Sequence, residues 1–319
     1  MMTEAWYDNF IDALLAKYPK KNQLTQALTE LLNIEREAVY RRLRKDVAFP
    51  ADEIVTIAST WNISLDAVVG IDAGQVSFQM RQVNYLDPSE EEANFLRYII
   101  QSINFVKQFP NTEFMDVCNK LPRQLLAGFE HLNQFYLFKW RYEYGVDEVL
   151  PYSQLVISEE KAQLTATYYR TIKDVPTSSF IWDQRIFEHL VRDIQYFHSI
   201  YLITDEEKEL IRKDLYRLLS YMQEVANKGY YPETQNRVNL YVSQLNIDTN
   251  YSYSFTPDVN VCFIHAFEKH EIYTFNSEMV TNFRAWMQLK KRTAIQISEV
   301  DEKSRVEFFM RQNQLVDSL

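Results

Sequence analysis

Apolar residues recur at helical spacing through the N-terminal part of the chain. Trp6, Phe10 and Leu14 stand four apart with Ile11 and Leu15 beside them, which predicts a helix over about 4–17 stopped by Pro19. A second helix opens at Asn22, a good N-cap, and carries Leu24, Leu28, Leu31 and Leu32 on one face. Asn33 falls at a sharp turn, where its side chain tolerates left-handed backbone. The third helix runs over about 35–45, with Ala38, Val39 and Leu43 inward and Arg36, Tyr40, Arg41 and Arg44 outward. Phe49-Pro50 opens a fourth, in which Asp52 and Glu53 suit the helix dipole, Ile54, Ile57 and Ala58 face inward, and Trp61 closes the pattern. Ser64 caps a short fifth helix over 65–69, ended by Gly70.

A polar stretch holding Gly74 and Pro88 follows and reads as a linker. The expected organisation is a domain at 1–72, a linker at 73–88, and a region at 89–319 with a sub-boundary near 230–236. Ser89 with Glu92 forms a capping box that starts a long helix towards Lys107, ended by Pro110. Further helices are expected at about 112–119, 122–145, 158–173 and 183–198. Thr204 with Glu207 opens another, terminated by Gly229. Alternation then replaces helical spacing at 238–245, 251–255, 261–267 and 271–275, which predicts strands. A helix follows Ser277, and 294–297 reads as one more strand. A charged helix from Asp301, striped by Val306, Phe309 and Met310, is expected to dock on the sheet. No fixed period marks a repeat array. The fold class is therefore α+β and mostly helical: a five-helix N-terminal domain, a helical region, and a small strand-and-helix region.

Composition narrows the function classes. Hydrophobic residues make up 46% of the chain and aromatics 14%, with 21 Tyr and 20 Phe, which suits packed cores, interfaces or ligand pockets and argues against disorder. The net charge of -10 keeps such a chain soluble and leaves any nucleic-acid contact to a local basic surface. Cys118 and Cys262 are too few for a disulfide framework or a four-Cys zinc site, so reduced buried thiols and a cytoplasmic location are expected. The opening residues show no basic segment followed by an apolar run, so no secretory leader is expected. No apolar run reaches the roughly 18 residues of a membrane helix. Gly70, Gly74, Gly128, Gly145 and Gly229 form neither a GxGxxG fingerprint nor a P-loop, which speaks against the common nucleotide-dependent enzymes.

His265 and His270 lie near Glu268 and Glu271, but the odd separation of the two histidines puts them on opposite faces of a strand. The same parity separates Cys262 from His265 as a nucleophile–base pair. Phe135, Phe138 and Tyr142 share one helical face, while Tyr251, Tyr253 and Phe255 share one strand face. Each set reads first as core packing and second as a pocket or dimer interface. No catalytic cluster, metal site or cofactor motif is found, so the chain is not expected to be an enzyme.

One segment carries more specific chemistry. Residues 23–44 combine a short apolar-faced helix, a tight turn at Asn33-Ile34, and a second helix with Val39 and Leu43 inward, the pattern of a helix-turn-helix. Such a second helix presents its early residues to base edges while its apolar face locks against the first helix. Arg36, Arg41, Arg42, Arg44 and Lys45 face Glu35 and Glu37, a local net charge of +3, and Lys20 and Lys21 precede the first helix of the pair.

Residues 1–72 resemble the lambda-repressor/Cro-like (XRE-type) family of transcriptional regulators. The likeness rests on Asn33-Ile34, Val39, Leu43, the run Phe49-Pro50-Ala51-Asp52-Glu53-Ile54, and Ile63-Ser64-Leu65-Asp66, in the family's order. It covers less than a quarter of the chain. Asn33 stands where the family usually has Gly, and Arg42 where it usually has an apolar residue. The resemblance implies that Arg36, Tyr40 and Arg41 meet base edges, and that Lys21, Asn22, Arg44 and Lys45 meet phosphates. It also implies double-stranded DNA as partner and a homodimer on a two-fold site. A small-molecule or peptide effector is expected in the C-terminal region. The alternative is a protein-interaction module that uses the same fold without DNA.

Overall fold

The computed structural model describes residues 2–18, 20–61, 63–69, 76–80, 88–144, 150–267 and 270–319. Contacts divide the chain into two units, Met1–Ser77 and Phe78–Leu319. Most of the segment read as a linker, with Gly70 before it, lies outside the described residues.

The apolar stripes of the N-terminal unit meet in one core. Its helices are α1 (Met2–Lys17), α2 (Lys21–Leu32), α3 (Arg36–Leu43), α4 (Ala51–Trp61) and α5 (Leu65–Val69). Phe10, Leu14, Leu24, Leu28, Val39 and Ile57 are fully buried there, with Leu43 and Ile34 packed against them. Burying side chains of this size contributes roughly 1.5–3 kcal/mol each. Tyr7 adds a polar tie, because its hydroxyl accepts from Phe49 N at 3.1 Å and donates to Arg42 O at 3.2 Å. Asn33 ends α2 in the left-handed region, with φ 51° and ψ 44°, as the turn requires. Asn22 is not an N-cap. The amides of Gln23 and Leu24 both bond to Lys20 O, so the cap lies two residues earlier, at Lys20, and Asn22 sits in the first turn.

The C-terminal unit is built on an eight-stranded sheet. Its strands are β1 (Gln79–Met80), β2 (Glu113–Cys118), β3 (Thr177–Trp182), β4 (Arg237–Ser243), β5 (Tyr251–Phe255), β6 (Asn260–Phe267), β7 (His270–Thr274) and β8 (Ala294–Gln296). Their spatial order is β1-β7-β6-β5-β2-β3-β4-β8. β2, β3 and β4 run parallel, and β5 returns antiparallel beside β2 to start a meander through β6 and β7. One sheet thus joins chain on both sides of 230–236, where the sequence reading places a sub-boundary.

Two expectations are corrected by this sheet. Residues 112–119 read as a helix but supply β2, paired on both edges and covered on both faces, so its sequence shows no clear alternation. The segment over 183–198 is helical only from Glu188, because Thr177–Trp182 before it is the interior strand β3.

The remaining helices are α6 (Pro88–Val106), α7 (Arg123–Leu126), α8 (Glu130–Tyr144), α9 (Glu159–Thr171), α10 (Glu188–Ser199), α11 (Asp205–Lys228), α12 (Ser277–Lys290) and α13 (Glu302–Asp317). The expected capping box at Thr204 and Glu207 opens α11, and Gly229, at φ 73°, ends it. On one sheet face, Phe180, Trp182, Val238, Leu240 and Val242 pack with the buried residues of α8, α10, α11 and α13. On the other, Met115, Val117, Ile181, Tyr253 and Cys262 pack with Val280, Phe283 and Met287 of α12. The stripe of α13 is Arg305, Phe308, Phe309, Gln312 and Val316, while Val306 and Met310 face solvent. That helix lies mainly on α11 rather than on the sheet, with Phe308 reaching Trp182 at a ring distance of 6.0 Å.

Candidate functional site

The basic surface of the N-terminal unit follows from how α3 is held. Val39 anchors its inner face at full burial, so the opposite face looks outward. Arg36 and Arg41 are both exposed on α3 and make no ion pair with a described residue, and Tyr40 between them is half-buried. Arg36 and Tyr40, one turn apart, share a face.

The other cations of this segment are engaged. Arg44 bridges Glu37 at 3.0 Å and Asp46 at 3.5 Å, and Lys45 pairs with Asp8. All of these side chains are at least half exposed, so the pairs are weak and exchangeable. Arg42 differs. Its guanidinium holds both oxygens of Glu53, at 2.7 and 2.8 Å, and donates to Ala38 O at 3.3 Å, with both side chains mostly buried. It therefore fills the position of an apolar residue by docking α3 on α4, and leaves the outward basic set. At the start of α2, Lys21 and Asn22 are exposed, Lys20 is the cap residue, and no side chain caps the helix. Uncapped amides beside lysines form a favourable place for an anion.

The C-terminal unit holds a second candidate, a cavity of about 970 Å³. Its floor is the sheet face carrying Asp116, Ser252, Ser254, Phe263, His265 and Glu271, and α6, α7, α8, α9 and α10 contribute to the wall. Phe135, Phe138 and Tyr142, which read first as core packing and second as a pocket or dimer interface, surround Phe197 in the core, and of the three only Phe135 also reaches the cavity. The lining face of α8 is Tyr136, Lys139 and Trp140. Tyr251, Tyr253 and Phe255 pack on the α12 side of the sheet.

Charge in the cavity is unevenly satisfied. Arg123, at the start of α7, ion-pairs with Glu92 and sits 5.0–5.9 Å from the rings of Phe95, Tyr136 and Tyr168. Lys139 is held by Asp193 at 2.6 Å. His265 Nδ1 lies 3.4 Å from Glu271, yet burial, with help from the Lys120 charge, lowers its pKa to about 4. Asp116 is buried on β2, where Oδ2 accepts from Gln124 at 3.4 Å and Oδ1 has no hydrogen-bond partner among the described residues. Burial, aided by the charge of Glu271, pushes its carboxyl up to about 7, with the Gln124 amide and the neighbouring Cys118 thiol opposing the rise.

Strand parity places Cys262 under α12 and His265 in the cavity, on opposite faces as expected. Glu268 lies outside the described residues, as does the side chain of His270, and the described residues hold no group of three metal-ligating side chains. No protein-family model, curated protein or solved structure matches this chain.

Proposed function

We propose that the chain is a DNA-binding transcription regulator. Its N-terminal unit would act as a lambda-repressor-like domain that reads the major groove of double-stranded DNA through α3. The observation that carries this reading is the pair Arg36 and Arg41, both exposed on a helix that is held in place by buried Val39 and by the Arg42–Glu53 pair. In this reading Arg36, Tyr40 and Arg41 meet base edges, where arginine recognises guanine by two hydrogen bonds. Lys21 and Asn22, at the uncapped start of α2, and Arg44 and Lys45, after releasing their exposed carboxylates, meet phosphates. The C-terminal unit senses a signal or joins two copies on a two-fold site.

The test is binding to genomic DNA fragments, the chain's own upstream region included, at two salt concentrations, with the Arg36→Ala/Arg41→Ala protein beside wild type. The expected result is tight, site-selective binding that the double variant loses. Weak binding that ignores both the substitutions and the salt would overturn the reading and bring forward a protein-interaction module.

A further inference from the structure

The cavity of the C-terminal unit has a polar floor and an aromatic wall, and the two ends select different chemistry. Along the wall lie Phe95, Tyr136, Trp140 and Tyr168, with Phe114 and Phe263 on the sheet itself. This lining suits an apolar, ring-bearing body, and about 970 Å³ is near the upper end of ordinary small-molecule sites.

The floor is acidic. Asp116 and Glu271 both line it, and Asp116 stands directly across from Ser252 in the β2–β5 ladder. An anion arriving here would meet these two carboxyl groups. The cations near the wall are already occupied, Arg123 by Glu92 and Lys139 by Asp193. Lys120 also lines the cavity and acts electrostatically on His265. A buried carboxyl oxygen without a hydrogen-bond partner among the described residues is costly unless a donor reaches it.

We propose that this cavity binds a cationic amphiphile, an amine whose ammonium meets Asp116 and whose aromatic body lies among Phe114, Tyr168 and Phe263. Aromatic faces also favour a positive charge at close range. The inference deepens the regulator reading, in which the C-terminal unit receives the signal.

Proton balance follows from the site. Near neutrality part of the Asp116 population carries its proton, since burial and Glu271 disfavour the anion. Cys118 on the same strand, Gln124 on α7, Tyr168 on α9, Ser252 on β5 and Glu271 on β7 act on it or stand beside it, and Lys120, Arg123 and His265 line the same cavity. When an ammonium binds, the carboxyl ionises and its proton leaves to solvent. Amine affinity therefore rises with pH through about 7, by roughly tenfold between pH 6 and pH 8, and levels off above.

The experiment is calorimetric titration of the full chain, without DNA, with tryptamine and with the tricyclic amine imipramine. Indole-3-propionate serves as the matched carboxylate. The expected result is amine binding that tightens about tenfold from pH 6 to pH 8, with at least tenfold weaker binding of the carboxylate. In Asp116→Asn, shown folded by its thermal melt, amine binding weakens at least tenfold at pH 8 and loses its pH dependence. The inference is overturned if no amine binds, if the carboxylate binds as well as the amines, or if wild-type binding is flat with pH. Amine binding in folded Asp116→Asn equal to wild type would also overturn it. Because no DNA is present, a negative Arg36/Arg41 result would leave this outcome untouched, and the two failures stay distinct.

Discussion

Arg42 Nε lies 2.7 Å from Glu53 Oε2, so one arginine of a strongly basic helix is bound to the neighbouring helix rather than offered to solvent. This pair explains how a charged residue fills a position that faces a core. The aliphatic stem of Arg42 packs while its head is neutralised, and its guanidinium also sits 5.7 Å from the ring of Phe49. Removing either partner leaves the other mostly buried and unpaired. Arg42→Ala and Glu53→Ala are each expected to lower stability by about 1–3 kcal/mol, with the double substitution costing less than their sum. Urea unfolding of the four proteins checks this, and additive losses would refute the coupling.

The exposed cations should behave differently from Arg42 on DNA. If the regulator reading holds, Lys21→Ala weakens binding about equally for all sequences and reduces the salt slope by about 1. Arg36→Ala costs about 1–3 kcal/mol at the preferred site and relaxes sequence preference there. Fluorescence anisotropy on specific and scrambled duplexes at several salt concentrations separates the two behaviours.

Two residues of the cavity make opposite contributions to stability against pH. Asp116 titrates at about 7 in the folded chain, against about 4 when unfolded, so the folded state holds the extra proton between these values. Its contribution to stability falls as pH climbs from about 4 to about 7. His265 is lowered to about 4 from an ordinary value of about 6.5, so the unfolded state holds the extra proton. Its contribution rises as pH climbs through that window. Asp116→Asn should therefore leave a stability that increases from pH 4 to 6.5 more steeply than in wild type. His265→Gln should leave one that decreases towards pH 7. Thermal melts across pH 4–8 distinguish the two, and parallel profiles would contradict both assignments.

Gly229 is bounded twice. Its φ of 73° disfavours a side chain, and a Cβ there would clash with the Glu299 side chain. Gly229→Ala should cost about 1–2 kcal/mol, the left-handed backbone accounting for roughly 1. Adding Glu299→Ala should relieve the steric share and leave the backbone share. Chemical denaturation of single and double variants checks whether the loss divides in this way.

The local signals in the sequence carried far. The stripes of α1 to α4, the left-handed Asn33, the capping box of α11, the Gly229 stop and the alternation of β5 and β6 are all contained in a few neighbouring residues. Each depends on a spacing, a cap or a dihedral preference, which a short segment possesses by itself. The failures share the opposite cause. Thr177–Trp182 reads as Thr-Ser-Ser-Phe-Ile-Trp, and nothing in those six residues announces a strand between two others. Val306 and Met310 lie in the same turns as Phe309, and the packing against α11 selects Arg305, Phe308 and Phe309 instead.

By itself, the sequence determined which segments of the N-terminal unit are helices, which residues of α3 are basic, and that strands follow α11. Those properties arise from contacts within a turn or two of chain. Tertiary structure alone decided that Arg42 belongs to Glu53 while Arg36 and Arg41 remain exposed, since their residue type is the same and only the neighbouring helix differs. It alone decided that 112–119 is the strand on which Asp116 stands, because the partners of β2 lie far along the chain in β3 and β5. The cavity has the same origin. Its lining is drawn from α6 through β7, and burial, the force that sets Asp116 and His265 apart from ordinary acids and histidines, exists only once those distant segments have packed together.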